Sequence, residues 1–259
     1  MMYMLKKESG INKTMKYMGS KNRIAKEILP LILKNIENKS YYVEPFVGGC
    51  NMIDKVPNTI IRIGNDSNEY LIAMWKELQS GWIPPKLVSE DFYKAVQRNK
   101  KDYPNHIVGY IGFNLSFGAI FFSCYRRDSM GKRDYSLESY NNVTKQLQFI
   151  KDIKFFNKKM QFNELEIDAL KNIKEFKDGK SIIYCDPPYK GTAGYKDSKD
   201  FNYEGFYDYC RELKKLGNDV FISEYEMPND FKCIWQKEIM NNLAKKVDAK
   251  KGIEKLFTL

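Results

Sequence analysis

Apolar and polar positions along the chain fall into two repeating patterns with a break between them. Segment 22–37, NRIAKEILPLILKNIE, places its apolar residues at helical spacing, and Pro30 is expected to kink or divide the helix. YYVEPF (41–46) reads as a short buried strand that runs into a turn at Gly48-Gly49. TIIRIG (59–64) is a second strand and NEYLIAMWKELQ (68–79) the helix behind it. Strand and helix in alternation argue for a parallel α/β sheet. The alternation stops after Gly81-Trp82-Ile83-Pro84-Pro85. It resumes with a helix-like stretch at 164–177, strand SIIYC (181–185), a helix over 204–216 and strand NDVFIS (218–223). Two further apolar stretches, FKCIWQKEI and IEKLFTL, close the chain. There is no internal repeat or low-complexity tract. The pattern predicts one α/β domain built from residues 1–83 and 166–259, interrupted by an insert at 84–165.

Charge sharpens the picture of that insert. The 259 residues carry 43 Lys and Arg against 33 Asp and Glu, a formal net charge of +10. The insert holds 14 of the basic residues against 8 acidic ones, and 15 of the 37 aromatics. A basic, aromatic-rich lobe favours a polyanionic partner such as nucleic acid. The single histidine, His106, excludes HExxH metalloproteases and any site built on several imidazoles. The five cysteines include no CxxC pair, so no zinc site is expected and the chemistry is expected to need no metal. No apolar run approaches the ~20 residues of a membrane span. The first fourteen residues read as a polar leader without the apolar core of a signal peptide, and Met15 is a second possible start. A cytoplasmic protein is the expectation, with no membrane partner.

Two strand ends carry candidate chemistry. Glu44-Pro45-Phe46-Val47-Gly48-Gly49 sets an acidic residue and a glycine turn at a strand's C-terminal tip, where a ligand can approach the backbone. Asp66 ends the next strand, 22 residues after Glu44, and is placed to accept hydrogen bonds from ribose hydroxyls. Together they suggest an adenosine-containing cofactor, although the GxGxxG dinucleotide fingerprint is absent. The second strand end is Asp186-Pro187-Pro188-Tyr189. Two prolines stiffen the turn, so the Asp186 carboxylate and the Pro187 carbonyl can be aimed at one point and accept both hydrogens of an exocyclic amine. Tyr189 can stack on the flat base that bears it. In the insert, YRRDSMGKRDY (125–135), with AIFFSCY and YSLESY as its arms, is expected to be a hairpin tip whose Arg126, Arg127, Lys132 and Arg133 form a solvated charged turn or, in a DNA-binding protein, contact guanine edges or phosphates.

Five motifs, KYMGSK (16–21), YVEPFVGG (42–49), GND (64–66), DPPY (186–189) and VFISEY (220–225), resemble in kind and order the Dam-type DNA adenine-N6 methyltransferases, the permuted group whose cofactor motifs precede DPPY. That resemblance implies a Rossmann-like methyltransferase sheet with an inserted, smaller, mainly helical target-recognition domain carrying a β-hairpin. It implies S-adenosyl-L-methionine as methyl donor and an adenine in double-stranded DNA, flipped out of the helix, as acceptor. The family's cofactor contacts map onto Tyr17, Lys21, Asp66 and Asp186, beside the Glu44, Phe46, Gly48 and Gly49 loop. Asp186, Pro187 and Tyr189 map onto the methyl-accepting site. Tyr17 stands where tryptophan is frequent, and Ser20 where a second glycine often stands. Rival acceptors are cytosine-N4, RNA adenine and a glutamine side chain. A non-enzymatic alternative is an inactive DNA-binding scaffold.

Overall fold

Parallel strands with both faces covered need continuous apolar runs, and SIIYC is one: every residue of the strand Ser181–Cys185 is buried. A computed structural model describes residues 14–128, 130–191, 200–239 and 252–259. Of the expected fourteen-residue polar leader, residues 1–13 lie outside them. Among the described residues seven strands form one sheet: β1 Tyr41–Glu44, β2 Ile61–Asn65, β3 Lys154–Phe156, β4 Ser181–Cys185, β5 Asp219–Glu224, β6 Lys232–Ile239 and β7 Gly252–Thr258. Their order is β3-β2-β1-β4-β5-β7-β6. The first five run parallel, while β7 lies antiparallel to both β5 and β6. β1 pairs with β2 on one side and β4 on the other, so the strand order reverses between β1 and β4. A crevice at the C-terminal ends of those strands is where α/β sheets of this kind hold ligands.

Side chains alternate between two cores. Tyr42, Ile182 and Tyr184 face one cluster with α1 (Ala25–Ile32), α2 (Glu69–Gln79), α4 (Asn105–Asn114) and α5 (Tyr135–Ile150). Val43, Ile183, Cys185 and Val220 face the other with α7 (Tyr203–Lys215). α1 ends two residues beyond Pro30, and a separate 3-10 turn follows at Ile36–Asn38. The helix expected over 164–177 is shorter. α6 spans Glu164–Ala169 and runs into a 3-10 turn at Leu170–Asn172, after which Phe176 turns into the core and Gly179 (φ 64°) reverses the chain into β4. No described helix is long and apolar enough to cross a membrane.

Residues 84–165 supply α3 (Glu90–Arg98), α4, α5 and, at their end, β3, the strand that pairs parallel with β2 at the sheet edge. Val108, Ile111 and Phe113 of α4 join the same buried cluster as Leu71, Met74 and Trp75 of α2. The two helices meet so closely at Gly109 that a Cβ there would lie 2.1 Å from the Tyr70 carbonyl oxygen. The expected β-hairpin at 125–135 is not formed among the described residues. One isolated antiparallel bridge joins Ser116 to Tyr125, and the basic segment is a turn gathered around Asp128. The second arm, YSLESY, is helical instead, because Asp134 accepts the Leu137 N–H at 2.9 Å and caps α5.

Candidate active site

Asp186 follows the last residue of β4, and the first thing its carboxylate meets is a buried lysine. Lys21 Nζ lies 2.8 Å from Asp186 Oδ1, donates to the Gly19 carbonyl at 2.9 Å and is only 6% exposed. Its charge sits 4.7 Å from the centre of the Tyr189 ring. The Tyr189 hydroxyl donates to Glu254 Oε2 at 2.7 Å, and Glu254 is itself 4.0 Å from Lys21 Nζ. Tyr225 meets Tyr189 edge-on, with ring centres 4.6 Å apart. Beneath them Glu224 accepts the N–H groups of Tyr225 at 2.7 Å and Lys190 at 3.1 Å, which ties the end of β5 to the DPPY turn. Tyr203 donates to the Pro188 carbonyl at 3.0 Å and anchors the turn from α7.

Burial and charge pull against each other here. Burial raises the Asp186 carboxyl above its ordinary range, while Lys21 draws it back. For Lys21 burial opposes the charge, but Asp186 and Glu254 outweigh it and the ammonium is raised overall. The 2.8 Å contact sets the Asp186 carboxyl beside an ammonium in a low-dielectric corner, where its oxygens can accept hydrogen bonds. Burial pushes Glu224 up to about 7, against the pull of its two backbone donors.

The glycine loop after β1 forms the neighbouring wall. Gly48 has φ 47° and donates its N–H to Asp66 Oδ2 at 3.1 Å; Asp66 Oδ1 accepts the Asn68 N–H at 2.9 Å. Trp75 Nε1 holds the Gly48 carbonyl at 3.1 Å, and Gln146 Nε2 reaches the Gly49 carbonyl at 3.0 Å from α5. Tyr17 lies against both glycines. A Cβ on Gly48 would lie 2.7 Å from Tyr17 Cε1, and one on Gly49 2.6 Å from Tyr17 Cβ. Only bare backbone fits beneath that ring.

Tyr17, Gly48, Gly49 and Asp66 therefore come together, as do Lys21, Asp186 and Tyr189. Asp66 spends one lone pair of each oxygen on the loop and keeps one on each for other donors. Glu44 turns inward: its Oε1 accepts the Tyr42 hydroxyl at 2.9 Å, and burial raises its carboxyl well above the usual range. Phe46 sits among Phe162, Phe201 and Phe206.

The four basic residues of the turn are unlike one another. Arg126 stacks 3.7 Å over the Tyr135 ring, lies 3.7 Å from Glu138 and is 14% exposed. Arg127 is 68% exposed and donates through Nε to Glu90 at 2.7 Å. Lys132 and Arg133 donate backbone N–H groups to Asp128 Oδ2, at 2.7 and 2.8 Å.

The sequence reading gave no role to Glu224, Tyr225 or Glu254. The first two end a parallel strand, the same position that drew attention to Asp186, so that signal was present in VFISEY. Glu254 opens an antiparallel strand, and nothing in its local sequence marks it.

A curated relative, the modification methylase StsI of Streptococcus sanguinis, is 27% identical over 238 residues. The match covers 83% of this chain and 34% of that protein, so the chain spans about a third of its length. The model of the D12 class N6 adenine-specific DNA methyltransferases matches residues 17–253, across both the glycine loop and the Asp186 corner. The chain belongs to the D12 class N6 adenine-specific DNA methyltransferase family.

Proposed function

We propose that the protein transfers a methyl group from S-adenosyl-L-methionine to the N6 amino group of an adenine in double-stranded DNA, inside the cytoplasm. The observation that carries this is the buried Asp186–Lys21 pair beside Tyr189 at the end of β4. Family membership supports adenine as the acceptor. Expression in a host free of DNA methylation, followed by single-molecule sequencing of modified bases, tests the reading. N6-methyladenine at a recurrent site is expected, and an unmodified genome refutes it.

The Gly48-Gly49 turn, with Tyr17 packed on it and Asp66 bound to the Gly48 N–H, is where an adenosine-bearing ligand would lie. Tyr17, Phe46 and the two glycines would cradle it, with Asp66 toward the ribose; Lys21 and Asp186 border it, and Glu44 supports the loop from beneath. When bound, the cofactor supplies an electrophilic methyl on a sulfonium. The chain's own residues prepare the acceptor. Adenine's amino lone pair is delocalised into the ring, which makes it a poor nucleophile. Asp186 and the Pro187 carbonyl accept its two hydrogens and draw the nitrogen toward a tetrahedral form with an available lone pair. Tyr189 stacks on the flipped base and fixes the line of attack, so positioning contributes much of the acceleration. Lys21 draws the Asp186 carboxyl back toward its charged form, and its oxygens stand where the departing N–H proton must go.

Asp66→Ala is expected to weaken S-adenosylmethionine binding about tenfold or more in calorimetric titration, the worth of a hydrogen bond to a charged acceptor. Affinity equal to wild type would remove Asp66 from the ribose.

Residues 84–165 are proposed as the target-recognition unit, with Arg126, Arg127, Lys132 and Arg133 toward DNA. Loss of a phosphate contact lowers the salt slope of log K by about 0.9 and weakens all sequences alike. Loss of a base contact costs ~1–3 kcal/mol and relaxes choice at one position. Arg127→Ala is expected to behave in the second way and Lys132→Ala in the first. Arg126→Ala is expected chiefly to lower stability, since its guanidinium is packed on Tyr135. Four alanine variants with wild-type affinity, salt slope and site choice would make the turn a solvated one only.

A further inference from the structure

One carboxylate in the Asp186 corner has no part in the reaction as written. Glu254 opens β7, and its Oε2 accepts the Tyr189 hydroxyl at 2.7 Å. A phenol ring moves about two side-chain torsions: a bond at its far end holds the first, which sets where the ring lies, and contacts on its faces and edges hold the second, which sets its plane. Two further contacts grip the same ring: Lys21 Nζ at 4.7 Å from its centre and Tyr225 edge-on at 4.6 Å. Those two contacts hold the ring plane, and the Glu254 bond holds the ring's far end in place. A base stacks well only on a ring whose place and plane are both set before it arrives.

We propose that Glu254 is a positioning residue for methyl transfer, holding the far end of the Tyr189 ring in place through the hydroxyl bond so that the flipped base meets Asp186 in one position. The role rests on the methyl-transfer reading above. β7 would then take part in the reaction without touching substrate, through Tyr189 alone.

The test is a mutant cycle on the full-length protein with a duplex containing the target site. Y189F, E254M, E254Q and the double variant Y189F/E254M are compared in kcat, in KM for the duplex, in thermal melting and in the fluorescence of 2-aminopurine placed at the target base. E254M is expected to lower kcat about fivefold to tenfold, the worth of one hydrogen bond, and Y189F at least as much, because the Tyr189 hydroxyl also bonds the Asp186 carboxylate; KM is little changed in both. The double variant is expected to be no slower than Y189F alone, because Y189F already removes the bond that E254M removes. E254Q keeps an acceptor oxygen and is expected to retain more than half of the wild-type kcat. The 2-aminopurine signal is expected to change in parallel in Y189F and E254M.

Y189F at wild-type kcat overturns the proposal, since the hydroxyl bond then carries nothing. So do effects of Y189F and E254M that multiply, or an E254Q as slow as E254M. Should E254M lose its cooperative melt, Y189F and E254Q decide the matter by themselves. A wild-type protein that methylates no adenine duplex overturns the methyl-transfer reading together with this one. An active wild type with an unimpaired Y189F overturns the positioning role alone.

Discussion

Asp186→Ala is expected to abolish measurable methylation. The variant loses the acceptor that draws the adenine amine toward its reactive form, an effect of at least about 10²–10³-fold for a preorganised transition-state contact. It is also expected to lower Tm, because Lys21 is 6% exposed and its partner at 2.8 Å disappears. Breaking a buried pair from one side costs roughly 3–5 kcal/mol. Here the cost falls short of that range, since Asp186 is itself 23% exposed and Glu254 stands 4.0 Å from the ammonium. The double variant Asp186→Ala/Lys21→Met separates the two losses. It is expected to recover much of the melting temperature and none of the turnover, as read by single-turnover transfer of labelled methyl. An Asp186→Ala protein with a tenth or more of the wild-type rate would end the amine-activation mechanism.

Gly49→Val is expected to be the most damaging change in the cofactor wall. Even a single Cβ at this position would lie 2.6 Å from Tyr17 Cβ and 2.7 Å from Asn51 Nδ2. Tyr17 cannot simply withdraw, because its ring packs on Phe113 at 5.6 Å on its other flank. Asn51 is tied as well, donating Nδ2 to the Met15 carbonyl at 3.2 Å. Overpacking of this kind typically costs ~1–3 kcal/mol, and the displaced Tyr17 would no longer border the loop. Calorimetric affinity for S-adenosylmethionine is expected to fall at least about tenfold, one 1.4 kcal/mol step. Wild-type affinity in this variant would show that no ligand uses the backbone beneath Tyr17.

The sheet was legible because its strands are buried on both faces or end in turn residues. SIIYC is bounded as expected, and NEYLIAMWKELQ begins where Asn68 caps it by accepting the Leu71 N–H. The segment after the first α/β units was less so. KFF (154–156) is only three residues long and too short to announce itself, yet it forms the sheet edge beside β2. The YSLESY arm has aromatic and β-compatible residues, but the Asp134 cap decides in favour of helix. At the site, residues on strand ends and glycine turns were legible from type and position. What each side chain does there was not. The inward turn of Glu44 onto Tyr42 and the double use of Asp66 depend on neighbours set by the folded chain. Glu254 depends on the pairing of β5 with β7, where Glu224 faces Lys255, a register no local pattern encodes.

That pairing also bears on how the protein is made. Among the described residues β6 has β7 as its one strand neighbour, and β7 follows it in the sequence. A nascent chain that has released β6 from the ribosome therefore has nothing to pair it with. The strand must wait, exposed, until β7 emerges and slides between it and β5. The same arrival brings Glu254 to Lys21, a residue that precedes every strand of the sheet in the chain. Closure of the sheet and charge balance in the corner are thus one event, and a chain that stops short of β7 carries no finished Asp186 site.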